Sequence, residues 1–207
     1  MGLTAEQLRD GLDTVAAGEP AVAQALAQAG YPAPRISAPG YATLLRTIVG
    51  QQVSVASAAS VWNRLEAQLG AGADPAALLA SSDEALRACG LSRQKQSYAR
   101  SLAQLVADGA LALDTLPADD EAAIAELTRI KGIGRWSAEI YLLFAEGRPD
   151  IWPAGDLAVM EAIGRILALP ARPDEKATRA LAERWRPHRG AMAVFAWHYY
   201  QNSAAPV

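Results

Sequence analysis

Leu127-Thr-Arg-Ile-Lys-Gly-Ile-Gly-Arg-Trp-Ser-Ala-Glu139 sets two glycines around one isoleucine, with helical spacing of apolar residues on either side. Glycine adopts backbone angles closed to other residues and lets another molecule approach the main chain closely. Residues 119–129 and 135–146 therefore read as two helices joined by a tight hairpin through Gly132, Ile133 and Gly134. The first N–H groups of the second helix have no partner inside that helix, which suits a phosphate. Downstream, Trp152-Pro-Ala-Gly-Asp156 places one aspartate after a turn, 22 residues beyond Gly134. A carboxylate beside a phosphate-gripping hairpin implies chemistry on a nucleic acid.

The rest of the chain also reads as helix. Thr4-Ala-Glu-Gln7 has the form of a capping box. Residues 20–29, 41–50 and 53–69 show helical apolar spacing. Asp74-Pro75 starts another helix with proline at its first position. Ser82 and Asp83 offer a cap for the segment ending at Cys89-Gly90, and residues 93–107, 156–168, 174–186 and 189–201 complete the set. Glycine or proline punctuates nearly every junction, and no sustained two-residue alternation supports a sheet. The expected class is all-α. Residues 30–40 read as a linker, and the Ser-Ala-Ala-Pro-Val end as a frayed tail.

A chain of 207 residues, 51% hydrophobic and 20% charged, is long enough to bury a sizeable core in one or two domains. It contains no run of 18 uncharged apolar residues, so no membrane span is expected. Met1-Gly-Leu-Thr-Ala-Glu lacks the basic start and apolar centre of a secretory signal, and the chain reads as intracellular and cytoplasmic. One cysteine, Cys89, excludes an internal disulfide and a four-cysteine iron–sulfur cluster. Two histidines, His188 and His198, without a cysteine cluster argue against zinc. The net charge of −3 argues mildly against nucleic acid as a partner. Its distribution softens that point. Arg93, Lys95 and Arg100 have no acid among them, and Arg172 to Arg189 holds six basic residues against three acidic. A local basic face and an ordinary solvated helix surface are both compatible with this pattern.

Several separate motifs, in order, carry a family resemblance over about residues 40 to 201. They are Ile48-Val-Gly-Gln-Gln-Val-Ser-Val-Ala-Ser-Ala-Ala59, Gly90-Leu-Ser-Arg-Gln-Lys-Gln-Ser-Tyr98, the hairpin, the aspartate and Ala182-Glu-Arg-Trp-Arg-Pro-His-Arg-Gly190. The chain resembles the helix-hairpin-helix superfamily of DNA glycosylases, and within it the alkylpurine branch, 3-methyladenine DNA glycosylase II. It resembles the shorter members that lack a β-rich N-terminal domain. The resemblance implies a single glycosylase unit of two helical lobes with a central cleft. The expected division puts residues 41–118 in one lobe. Residues 1–40 and 119–207 form the other, which would carry hairpin and aspartate together.

The resemblance also implies roles. Asp156 aligns with the catalytic aspartate; read alone, it is a good helix N-cap, and a cap holds a carboxylate in a fixed orientation. Trp136 stands where the bifunctional relatives carry a Schiff-base lysine, and Lys131 lies on the wrong side of the hairpin. Base release by water without strand nicking is therefore expected. Trp136 and Trp197 would line the base pocket, with Tyr41, Trp62 and Ile140 beside them, since a ring face attracts a cationic alkylated base. Core packing is the alternative for Trp136. The N–H groups of Gly132 and Gly134, around Ile133, with the Ser137 hydroxyl would grip phosphate. Carbonyls of Thr128, Ile130 and Ile133 would hold a monovalent cation, sodium or potassium; no organic cofactor is implied. Gln51, Gln52 and Arg93 would contact DNA, with a polar helix face as the equal alternative for the two glutamines, and the Leu91-Ser-Arg93 loop would be the wedge left behind when a base is flipped. The implied partner is damaged double-stranded DNA, met by a monomer. A non-catalytic hairpin protein, or a glycosylase for etheno- or deaminated purines, are the competing readings.

Overall fold

In the computed structural model, residues 2–203 are described, and every regular element among them is helical. Residues 204–207, most of the stretch read as a frayed tail, lie outside the described residues. Gln7 N–H donates to Thr4 Oγ1 at 3.1 Å and Thr4 N–H donates to Gln7 Oε1 at 2.9 Å, the reciprocal box that starts α1 (Ala5–Gly18). There follow α2 (Pro20–Ala29), α3 (Tyr41–Gly50), α4 (Val55–Leu69), α5 (Pro75–Ala80), α6 (Asp83–Ala88) and α7 (Arg93–Ala107). Then come α8 (Asp120–Thr128), α9 (Arg135–Tyr141), a π-helical turn (Leu142–Glu146), α10 (Leu157–Ile166), α11 (Glu175–Ala182), a 3₁₀ turn (Glu183–Trp185) and α12 (Arg189–Asn202). Ser54, Asp74, Ser82, Ser92, Asp119 and Asp174 each cap the helix that follows by accepting a backbone N–H. That is why the starts were legible: a side-chain oxygen satisfies a donor the helix cannot.

Two compact units divide the chain. Described residues up to Ser37 and from Leu142 form one, and Ala38–Tyr141 forms the other. The hairpin therefore belongs with α3–α7, not with Asp156 as the sequence reading grouped it. The physical reason is packing: α8 rests on α9, and α9 on α3. No glycine or proline marks the break, because the π-helical turn follows Tyr141 directly.

In the first unit α12 is the central element. Arg189 to Trp197 are all buried, so its first part is enclosed on every side rather than on one stripe. It packs against α1, α2 and α10. Leu8, Leu12, Val22, Ile163, Met192 and Phe195 are fully or almost fully buried. In the second unit α7 takes that place, packed on α3, α5 and α6. Leu44, Ile48, Leu78, Leu86, Leu102 and Leu127 fill its core. Truncating any one of these leucines to alanine should cost about 2–5 kcal/mol.

Candidate active site

The hairpin is built from the inside of the second unit. Ile130 and Ile133 are 1% and 3% exposed and anchor it, and Ile133 N–H donates to the Ile130 carbonyl at 3.0 Å. Gly132 has φ +82, the left-handed region. The Tyr98 ring lies so close that a Cβ on Gly132 would sit 2.1 Å from Tyr98 Cδ2. The Gly132 carbonyl accepts from Gln51 Nε2 at 2.7 Å. Gly134 differs: a Cβ there would meet nothing within 4 Å. Nothing among the described residues requires that bare position, whereas close approach by another molecule would. The Gly132 and Gly134 N–H groups donate to no described residue. Ala138 N–H donates to the Gly134 carbonyl and opens α9. Arg135 clamps the two flanking helices, donating to Glu139 Oε1 at 2.9 Å and to Glu121. The Glu121 hydrogen bond, opposed by partial burial, holds its guanidinium above the ordinary arginine range. Trp136, at 45%, is among the most exposed large apolar side chains. Ser137 and Ile140 are half-buried.

Asp156 lies in the first unit and caps α10. Its Oδ1 accepts from Ala158 N–H at 2.9 Å and Val159 N–H at 3.0 Å. The segment before it is fixed at several points. Arg189 Nε and Nη2 each donate to an Asp150 oxygen at 2.9 Å. Gly190 N–H donates to the Pro149 carbonyl at 2.8 Å, and a Cβ on Gly190 would sit 2.6 Å from that oxygen. Trp152 meets Trp185 edge-on at 5.5 Å. Ile151, Trp152 and Ala154 are buried. The turn that delivers the aspartate is thus held by the Trp-Arg-Pro-His-Arg-Gly segment, a role that no local pattern in that segment announces. Trp197, also in this unit, is 7% exposed, with Phe144 at 5.5 Å and the Arg35 guanidinium at 5.8 Å from its ring.

Other expected site residues land elsewhere. Trp62 is 5% exposed and the Arg46 guanidinium lies 4.2 Å over its ring, so its face is taken. Tyr41 has a buried hydroxyl without a hydrogen-bond partner, and burial, then the Asp74 charge, raise its pKa above the usual phenol value. Neither ring is presented as an open pocket wall. Leu91 is 1% exposed, with its carbonyl accepting from buried Gln96, so it is core and not wedge; Arg93 remains exposed. Gln52 is exposed with φ 55, while Gln51 spends its amide on the hairpin. Of the run Arg93, Lys95 and Arg100, Lys95 donates to the Val49 carbonyl and Arg100 to the Leu78, Leu79 and Ser81 carbonyls and Asp83. In the second basic stretch Arg179, Arg184, Arg186 and Arg189 are ion-paired. Among the described residues no group of three or more His, Cys, Asp or Glu side chains is placed to hold a metal.

The family of HhH-GPD superfamily base excision DNA repair proteins matches residues 45–187, which include the hairpin and Asp156. The chain belongs to that superfamily. DNA-3-methyladenine glycosylase 1 of Schizosaccharomyces pombe is 30% identical over 161 residues, 76% of this chain and 71% of that protein. A DNA-3-methyladenine glycosidase structure from Bacillus halodurans aligns with TM-score 0.81 at 29% identity, covering 90% of this chain and 87% of that one. A 3-methyladenine DNA glycosylase of S. pombe in complex with abasic DNA aligns with TM-score 0.73 at 28% identity, covering 86% and 89%. The chain spans 58% to 76% of the length of three curated relatives it matches. Superfamily membership accounts for a hairpin with an aspartate downstream in an all-helical chain. Among the described residues, no helix is long and apolar enough to cross a membrane.

Proposed function

We propose that the chain hydrolyses the N-glycosidic bond of alkylated purines, 3-methyladenine and 7-methylguanine, in damaged double-stranded DNA, acting as a monomer inside the cell. The observation that carries this reading is Asp156, a carboxylate oriented by two backbone N–H groups in a chain whose relatives are named as 3-methyladenine glycosylases. Alkylation at N3 or N7 makes the purine cationic, so it leaves as a neutral base without strong acid catalysis. The sugar takes up the positive charge at C1′. The Asp156 carboxylate stabilises that cation and orients a water, whose oxygen bonds to C1′ as its proton passes to the carboxylate and from there to solvent. Trp136, whose ring is among the most exposed, would meet the flipped cationic base with its ring face, an attraction of up to about 2 kcal/mol when desolvated.

With tryptophan rather than lysine at position 136, no amine is supplied for a Schiff base, and the sugar–phosphate backbone stays intact. Gly132 and Gly134 N–H groups and the Ser137 hydroxyl grip the phosphate. The hairpin also fits a monovalent cation. Thr128 is the last residue of α8, where carbonyls lack helical partners, and the Ile130 carbonyl carries one hydrogen bond and keeps a second lone pair. With the Ile133 carbonyl these would hold sodium or potassium, which would offset charge at the bound phosphate. No organic cofactor is needed.

The test is release of free methylated bases from methylated duplex DNA, with strand breaks counted before and after alkali. Release by wild type but not by Asp156→Asn, with breaks only after alkali, is expected. Binding without release of any methylated, etheno- or deaminated purine would overturn the enzymatic reading. Breaks before alkali would overturn the water mechanism.

A further inference from the structure

A groove of about 820 Å³ runs along one face of α7 in the second unit, ending at the hairpin residue Lys131. Arg93, Ser97, Arg100 and Ser101 line it from α7, and Asp83 from α6. The charges in it divide into two kinds. Arg100 and Asp83 neutralise each other at 2.9 Å, and the remaining Arg100 donors go to carbonyls at the end of α5 and just beyond it. Arg93 and Lys131 have no ion pair with any described residue. The groove thus carries two uncompensated positive charges, with serine hydroxyls set among them. Lys131 is tied into its wall, because its backbone N–H donates to Ser101 Oγ at 3.1 Å. This matters in a chain whose net charge is −3 and whose other basic stretch has four of its six basic residues ion-paired.

We infer that this groove is a second phosphate-binding track, which receives the sugar–phosphate backbone of nucleic acid continuing past the hairpin and holds it with Arg93 and Lys131. The inference rests on the reading of the chain as a DNA-binding protein. It extends that reading to a surface outside the hairpin turn. From Arg93 to Ser101 the helix rises about 12 Å. A DNA strand places one phosphate per about 3.4 Å of axis, so the groove accommodates about three of them. Lys131 was of no use as a nucleophile, lying before the first glycine. As a point charge beside the hairpin it meets the phosphate next to the one gripped by the glycines. Serines 97 and 101 add neutral donors, which position a backbone without reading sequence.

The experiment is the salt dependence of duplex binding, measured with an abasic duplex from 50 to 200 mM salt. Each phosphate contact contributes about 0.9 to the slope of log affinity against log salt. Lys131→Gln and Arg93→Gln should each flatten the slope by about 0.9, a roughly 3.5-fold smaller loss of affinity across that range. Arg87→Gln, an exposed arginine of α6 that does not line the groove, serves as the equal-charge control and should keep the wild-type slope. Unchanged slopes for Lys131→Gln and Arg93→Gln would overturn the track. So would an equal change in Arg87→Gln, which would mean that only net charge matters. Failure of the wild type to bind any duplex would instead overturn the DNA-binding reading itself.

Discussion

Gly132→Ala should damage the hairpin from within. Two costs add. The backbone at φ +82 lies in the region where a Cβ meets the following carbonyl, which costs an ordinary residue about 1–2 kcal/mol. The new methyl would also stand 2.1, 2.4 and 2.5 Å from Tyr98 Cδ2, Cε2 and Cγ, so the ring must leave its place. Forced repacking of that kind costs about 1–3 kcal/mol. The expected loss is about 2–5 kcal/mol. With an unfolding slope of about 2 kcal/mol per molar urea, the midpoint falls by about 1–2.5 M. Urea unfolding followed by tryptophan fluorescence measures it. Tyr98→Ala in the same background separates the two costs: the backbone part persists, and the steric part disappears as a coupling of about 1–3 kcal/mol. Gly134→Ala is the internal contrast. Its methyl meets nothing within 4 Å, so stability should change by less than about 0.5 kcal/mol while DNA affinity falls. An unchanged midpoint for Gly132→Ala, or the same cost with and without the Tyr98 ring, would refute this account.

Other outcomes follow from single contacts. Asp156→Asn should lower base release by about 10²–10³-fold. It should leave the melting temperature near that of wild type, because asparagine caps a helix as well as aspartate; comparable release by both would remove Asp156 from the chemistry. Arg189→Met leaves the Asp150 carboxylate without its two-bond partner, though Arg186 still reaches it. The expected cost is about 3 kcal/mol in chemical denaturation, and a loss under 1 kcal/mol would show the pair to be incidental. Tyr41→Phe removes a buried hydroxyl with no partner and should gain about 1 kcal/mol at neutral pH. Burial raises the Tyr41 pKa in the folded chain, so the fold keeps a proton that the unfolded chain loses above pH 10. Wild-type stability therefore declines as pH rises beyond 10, and the phenylalanine variant should decline less; parallel curves would contradict the assignment.

Local signals were legible because they are satisfied locally. Thr4 with Gln7, Asp74 before Pro75, and Asp156 before Leu157 each place an oxygen on a nearby N–H. Gly132 announced a turn because only a residue without a side chain fits φ +82 against an aromatic ring. Partners far along the chain were not legible. Gln51 looked free to meet DNA, yet its amide is used by a carbonyl 81 residues later. Arg100 looked like part of a basic face, yet it closes the end of α5. Trp62 had the right chemistry for a base pocket, but nothing in its neighbours foretold Arg46 over its ring. The boundary after Tyr141 was hidden for a different reason: it carries no turn residue.

The split of the first unit into residues before Ser37 and after Leu142 has a consequence for synthesis. Helices α1 and α2 are made well before α12, on which they pack and which begins only at Arg189. At about 5–20 residues per second, the intervening stretch takes on the order of 10–30 s. Throughout that interval Leu8, Leu12 and Val22 can be covered only by the packing of α1 on α2, without α12. Ala38–Tyr141 is translated whole in the meantime. The unit encoded between the two halves therefore finishes first, and the α1–α2 pair is the segment that waits longest for its packing partner.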